Sequence, residues 1–134
     1  TGLLPDFIWV EKSGARVADA NTIESQYDGA YSYNACRLPY HLAQSRDERS
    51  QKIVQKMMTF FMKEKRIYAV YDLQGHALNQ YQAGSFLAPI TYAANTVEGN
   101  LKLLQQNKYI FTQDLPLDNY YDATMITMIA LELF

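Results

Sequence analysis

The sequence has a single cysteine, Cys36, so no disulfide can close within the chain, and its apolar helical surroundings read as those of a buried, unreactive thiol. Its two histidines, His41 and His76, are too distant to be drawn as a metal-ligand pair or a His/Cys dyad, and no metal is expected. No Gly-x-x-x-x-Gly-Lys or Gly-x-Gly-x-x-Gly loop is present to cradle a phosphate, and no cofactor is expected. Lysine and arginine form no cluster and the net charge is −2, which removes the electrostatic footprint of a nucleic-acid or anionic-membrane partner. The most apolar run, Met125 to Phe134, is about half of the roughly 20 residues a membrane span needs. Thr1-Gly2-Leu3-Leu4 lacks a basic region and is soon interrupted by Pro5-Asp6, so no signal peptide is read. Without an initiating Met, the expectation is a processed chain or a piece of something longer.

What the chain does have is aromatic surface. Eleven Tyr, six Phe and one Trp in 134 residues exceed what a minimal core needs, and flat ring faces are what pyranose C–H groups stack against. The length allows one domain with a real core, or part of one.

Residues 1–31 read as largely loop, with only Phe7-Ile8-Trp9-Val10 as a short extended or buried segment. Ala35, Leu38 and Leu42 have helical spacing, and Pro39 is tolerated only in a first turn, so a helix is expected to start near Cys36. Ser45-Arg46-Asp47-Glu48 reads as a capping box before a helix over 47–65, whose apolar stripe of Ile53, Val54, Met57, Met58, Phe60, Phe61 and Met62 predicts neighbours on two sides. Lys63, Lys65 and Arg66 suit the negative end of its dipole. Alternation on either side of Leu73-Gln74-Gly75 predicts a β-hairpin over 67–81. Helices are expected over 85–95 with Pro89 early, over 97–107, and over 118–134 from Asp118. Five helices, some with more apolar surface than the others can cover, suggest an arc of a larger helical ring.

Tyr33-Asn34-Ala35-Cys36-Arg37 sets an aromatic ring, an amide and a guanidinium, all sugar-binding groups, at the start of one helix. The segment resembles the Tyr-Asp-Ala-x-Arg stretch of glycoside hydrolase family 8, with Asn34 in the aspartate's place. Gly2-Leu3-Leu4-Pro5-Asp6-Phe7 is similar to that family's opening Gly-Leu-x-Pro-Asp-Trp, with Phe7 for the tryptophan. Residues 31–43, the hairpin Ala69 to Gly75, Ser85-Phe86-Leu87-Ala88-Pro89 and Tyr120-Tyr121-Asp122 resemble family segments in the same order.

The resemblance implies a mainly α fold, part of an (α/α)6 toroid. Residues 1–134 would be the C-terminal part of one catalytic domain that hydrolyses a β-linked polysaccharide with inversion. It implies a general-acid glutamate in an N-terminal half absent from these residues, that half as a partner, and an extracellular or cell-surface setting. The family's main branch uses the aspartate of the motif as base; an amide cannot take the proton, so Asn34 can only hold water or a hydroxyl. Other branches carry asparagine here and find the base in a neighbouring loop; an engineered Asp-to-Asn change would look the same. Asp28 and then Glu24, both on the loop Thr22 to Gly29, are the candidates for that base, with a solvated loop charge as the plain alternative for each. Substrate contact is expected of Tyr33, Arg37, Tyr31, Phe7 and Trp9, set against core packing for the aromatics and an ion pair for Arg37. A glycan-binding module without catalysis and a helical bundle unrelated to glycans are also left open.

Overall fold

A computed structural model describes residues 1–134. Strands β1 (Ile8–Glu11) and β2 (Gly14–Val17) form a two-stranded antiparallel sheet, with Ile8 opposite Val17 and Glu11 opposite Gly14. The two-residue connection Lys12-Ser13 closes onto Gly14 at φ 134°, a conformation that L side chains rarely adopt. Both strands are exposed along their length; β1 falls on the extended run read at Phe7 to Val10, and β2 has no buried face to mark it in the sequence.

Five α-helices follow: α1 (Leu38–Gln44), α2 (Glu48–Phe61), α3 (Gly84–Thr96), α4 (Leu101–Asn107) and α5 (Tyr120–Leu133). A 3-10 turn at Ala35–Arg37 leads into α1, whose first turn holds Pro39, where the missing N–H costs no intrahelical bond. The cap of α2 lies two residues beyond the expected box: Asp47, not Ser45, accepts the Ser50 amide at 2.9 Å. Ser45 instead accepts the Asp47 amide, at 3.2 Å. Val54, Met57, Met58 and Phe61 recur at i, i+3, i+4 and i+7, and all four are buried. Fully burying each of these side chains is worth about 1.5–3 kcal/mol.

Helix α3 is the centre of the molecule. It packs against α1, α2, α4 and α5, and residues 84–91 are buried without a break. Asp122 of α5 fixes its start by accepting the amides of Gly84 and Ser85, each at 3.0 Å. Hydrogen bonds of this kind to a buried carboxylate contribute about 1.5–3 kcal/mol apiece. A Cβ at Gly84 would lie 2.5 Å from the Ile126 Cδ1 atom, so a larger residue there would make that side chain shift.

Two expectations are corrected. The other four helices gather around α3 instead of following one another as staves, so the (α/α)6 toroid arc gives way to a mainly α cluster carrying one small sheet. The sheet also lies elsewhere. Over 67–81 only the Tyr71–Ala77 bridge forms, with Leu78 donating to Val70 at 2.8 Å and Ala69 to Tyr81 at 3.0 Å. Tyr71 bonds on its other side to Tyr31, so this segment is held by the chain before α1 as much as by its own return. No helix is long and apolar enough to cross a membrane.

Candidate functional site

The loop leading from β2 to Tyr31 is organised by Asp28. Its carboxylate accepts the amides of Thr22 (2.9 Å), Ile23 (2.6 Å), Glu24 (3.2 Å) and Ser25 (2.8 Å), and the residue is buried. Burial raises the carboxyl's pKa, but the amides of Ile23, Ser25, Glu24 and Thr22 outweigh it and hold the pKa below the ordinary value of 3.8. Gly29 lets the loop close against the hairpin, since a Cβ there would lie 2.5 Å from the Ala18 carbonyl oxygen. Asp28 builds the loop by accepting four backbone amides.

A pH dependence follows from that lowered pKa. The stabilisation given by Asp28 is fully present above the unfolded carboxylate value of about 3.9 and is lost as pH falls through the lower folded value. Amide hydrogen exchange of residues 22–25, followed from pH 6 to 3, is expected to stay slow until below about pH 4. Loss of protection near pH 5 would contradict it.

Glu24 is different. Its amide is fixed by Asp28 while its side chain is exposed, and its Oε2 accepts Asn34 Nδ2 at 3.0 Å. Asn34 lies at the start of the 3-10 turn, half-buried, and its side-chain oxygen faces Arg37 Nη2 at 3.5 Å. Arg37 Nε also points at the Asn34 carbonyl, at 3.4 Å. Arg37 forms no ion pair, so its guanidinium is exposed beside the amide.

Tyr33 completes the corner. Its ring stands edge-on to Phe86 at 5.2 Å and tilted to Tyr121 at 6.4 Å, and its hydroxyl meets that of Tyr81 at 3.0 Å. The Tyr121 hydroxyl donates to the Tyr33 carbonyl at 3.1 Å, and the Cys36 thiol does so at 3.2 Å. Burial pushes that thiol's pKa up to about 12, which keeps it protonated and unreactive. The Tyr33 phenol is likewise pushed above its ordinary range by burial and by the Tyr81 hydroxyl.

The structure therefore brings together Tyr33, Asn34, Arg37 and Glu24 on an open face, with Asp28 beneath the loop. It withdraws Tyr31, which is wholly buried between Phe61 and Phe86 and has no surface for a sugar. Trp9 lies on β1, opposite Arg16, whose guanidinium sits 5.8 Å from the ring centroid. Phe7 is half-buried, its amide bonded to the Asp28 carbonyl at 3.0 Å. Neither ring forms an aromatic pair with Tyr33. Tyr81, Tyr121 and Asp6 are the site neighbours that sequence reasoning missed. Asp6 carried a signal as part of Gly2 to Phe7, and Tyr121 as part of Tyr120-Tyr121-Asp122. No group of three or more His, Cys, Asp or Glu stands close enough to hold a metal. A depression of about 270 Å³ lined by Glu64, Lys65, Arg66 and Gln82, among others, shares no residue with this corner.

No known protein-family profile matches the chain. It is similar to a β-glucanase from Niallia circulans, with 30% identity over 134 residues, covering 93% of this chain and 32% of that protein. It is also similar to the solved apo structure of a β-1,3-1,4-glucanase from Paenibacillus sp. X4. The TM-score is 0.82 at 24% identity, covering 99% of this chain and 37% of that one, a likeness of fold. The chain thus spans about a third of the length of the proteins it matches. Neither likeness carries the toroid or the family 8 assignment.

Proposed function

We propose that residues 1–134 form the base-bearing wall of an inverting, family 8-like β-glucan hydrolase, secreted or at the cell surface, whose general acid lies outside these residues. The observation that carries this reading is the Glu24 carboxylate, exposed and held by Asn34 at 3.0 Å, beside an Asp28 carboxylate fully engaged by its own loop. In an inverting glycosidase the base activates a water on the sugar face opposite the acid, the two carboxyls standing roughly 6.5–9.5 Å apart. Glu24 takes the water's proton. Asn34, bonded to the base through its amide nitrogen, orients it. Tyr33 offers a ring edge and Arg37 its N–H groups to sugar hydroxyls. The similarity to two β-glucanases, one of them a β-1,3-1,4-glucanase, supports a mixed-linkage β-glucan as the first substrate to try.

Inversion has a direct readout. In proton NMR of a fresh digest of mixed-linkage β-glucan by the intact enzyme containing these residues, the α-anomer of the new reducing end is expected first, before mutarotation supplies the β-form. A β-anomer appearing first would overturn the water-activating role of Glu24.

A further inference from the structure

Tyr81 has no part in that mechanism, yet its hydroxyl meets that of Tyr33 at 3.0 Å. It comes from a different part of the chain, the segment that runs from the Tyr71–Ala77 bridge to α3. The residue is 51% exposed, beside a Tyr33 that is itself 37% exposed. Tyr81 forms no aromatic pair and lies outside both core clusters. The core therefore makes no use of this ring.

The ring is nonetheless held at both ends. The Tyr81 carbonyl accepts the Ala69 amide at 3.0 Å, its amide donates to Asn79 Oδ1 at 3.4 Å, and the phenol tip is tied to Tyr33. Tyr33 is fixed in turn. Asp6 Oδ1 accepts the amides of Ser32 at 3.0 Å and Ala35 at 2.7 Å on either side of it, and Phe86 backs its ring. A tyrosine with free rotamers loses side-chain entropy when a ligand immobilises it, whereas one already held at both ends loses little. The pair thus presents two preordered rings, one on the turn that carries Asn34 and the other a single hydroxyl contact away.

We propose that Tyr81 is a second sugar-contact residue, whose ring packs on a glucosyl unit next to the one at Tyr33 and lengthens the stretch of β-glucan that the corner grips. This rests on the reading of the corner as a β-glucan site. A tyrosine ring suits that ligand because its apolar face can take the pyranose C–H groups while its hydroxyl stays hydrogen-bonded. Two variants separate ring from hydroxyl: Tyr81→Phe keeps the ring and removes the tie to Tyr33, and Tyr81→Ala removes both.

The test is calorimetric titration of a mixed-linkage β-glucan oligosaccharide into the intact enzyme containing these residues, carrying Glu24→Gln so that the ligand persists. In that background Tyr81→Ala is expected to weaken binding about five- to tenfold, the scale of one aromatic contact, and Tyr81→Phe by less than about twofold. Thermal melting of both variants should match their parent, because exposed positions move stability little. Unchanged affinity in Tyr81→Ala overturns the proposal. So does a loss in Tyr81→Phe equal to that in Tyr81→Ala, which would assign the effect to the tie and not to the ring. No binding with Tyr81 intact refutes the β-glucan reading itself, and the proposal with it. Hydrolysis by the Glu24→Gln enzyme refutes only the base assignment; the comparison then reads KM in the wild-type background, expected about five- to tenfold higher in Tyr81→Ala at unchanged kcat.

Discussion

Glu24→Gln is expected to lower kcat on mixed-linkage β-glucan by about 10²- to 10⁴-fold, the usual contribution of a general base, while leaving KM within about twofold. The substitution is informative because it is nearly silent structurally. Glu24 is exposed, and glutamine keeps a carbonyl oxygen able to accept the Asn34 amide at the 3.0 Å contact. Stability should move by no more than about 0.5 kcal/mol, as for most surface changes. What glutamine lacks is a basic oxygen, so the loss falls on the proton-transfer step and appears in kcat. Steady-state kinetics of the intact enzyme, with thermal melting as the control, separates the outcomes. A Glu24→Gln enzyme with kcat near wild type would place the base elsewhere.

Phe86→Ala is expected to destabilise the protein by about 3–5 kcal/mol, the range for emptying a buried phenylalanine site. A domain whose total stability is about 5–15 kcal/mol would lose a large share of it. Phe86 is fully buried in central α3, with its ring edge-on to Tyr31 at 5.6 Å and to Tyr33 at 5.2 Å. Little can collapse into the gap, because Tyr31 is held by backbone bonds to Tyr71 and Tyr33 by Tyr121 and Tyr81. The same ring supports Tyr33 from below. Urea denaturation should show the lower midpoint, and Tyr33 should lose rigidity in ring-flip measurements. A cost under about 1 kcal/mol would mean that the core refills and that Tyr33 does not depend on Phe86.

The apolar stripe of α2 was legible because 3.6-residue repetition is a local property, present wherever a helix buries one face. Pro39 was legible for a similar reason: in a first turn proline's missing donor costs no intrahelical bond. The cap of α2 was misplaced because Ser45 and Asp47 are both good caps, and only the backbone's exit from α1 selects Asp47. The sheet was misplaced for a related reason. The alternation at 67–81 reflects burial against Tyr31 and α2, while β1 was read only as part of the extended run Phe7 to Val10 and β2, exposed on both faces, has no pattern to read.

The site divides along the same line. Which residue types could handle a sugar, and that Asn34 could not be the base, followed from side-chain chemistry alone, since an amide lacks a basic lone pair wherever the fold puts it. Tertiary structure decided which carboxylate is turned inward and which is exposed. Asp28 and Glu24 are equivalent in the sequence, two acids four residues apart on one loop. Folding turns one inward, where it accepts four amides, and sends the other across ten residues of chain to Asn34. That hydrogen-bond pattern belongs to the closed loop as a whole, and no single stretch of sequence contains it.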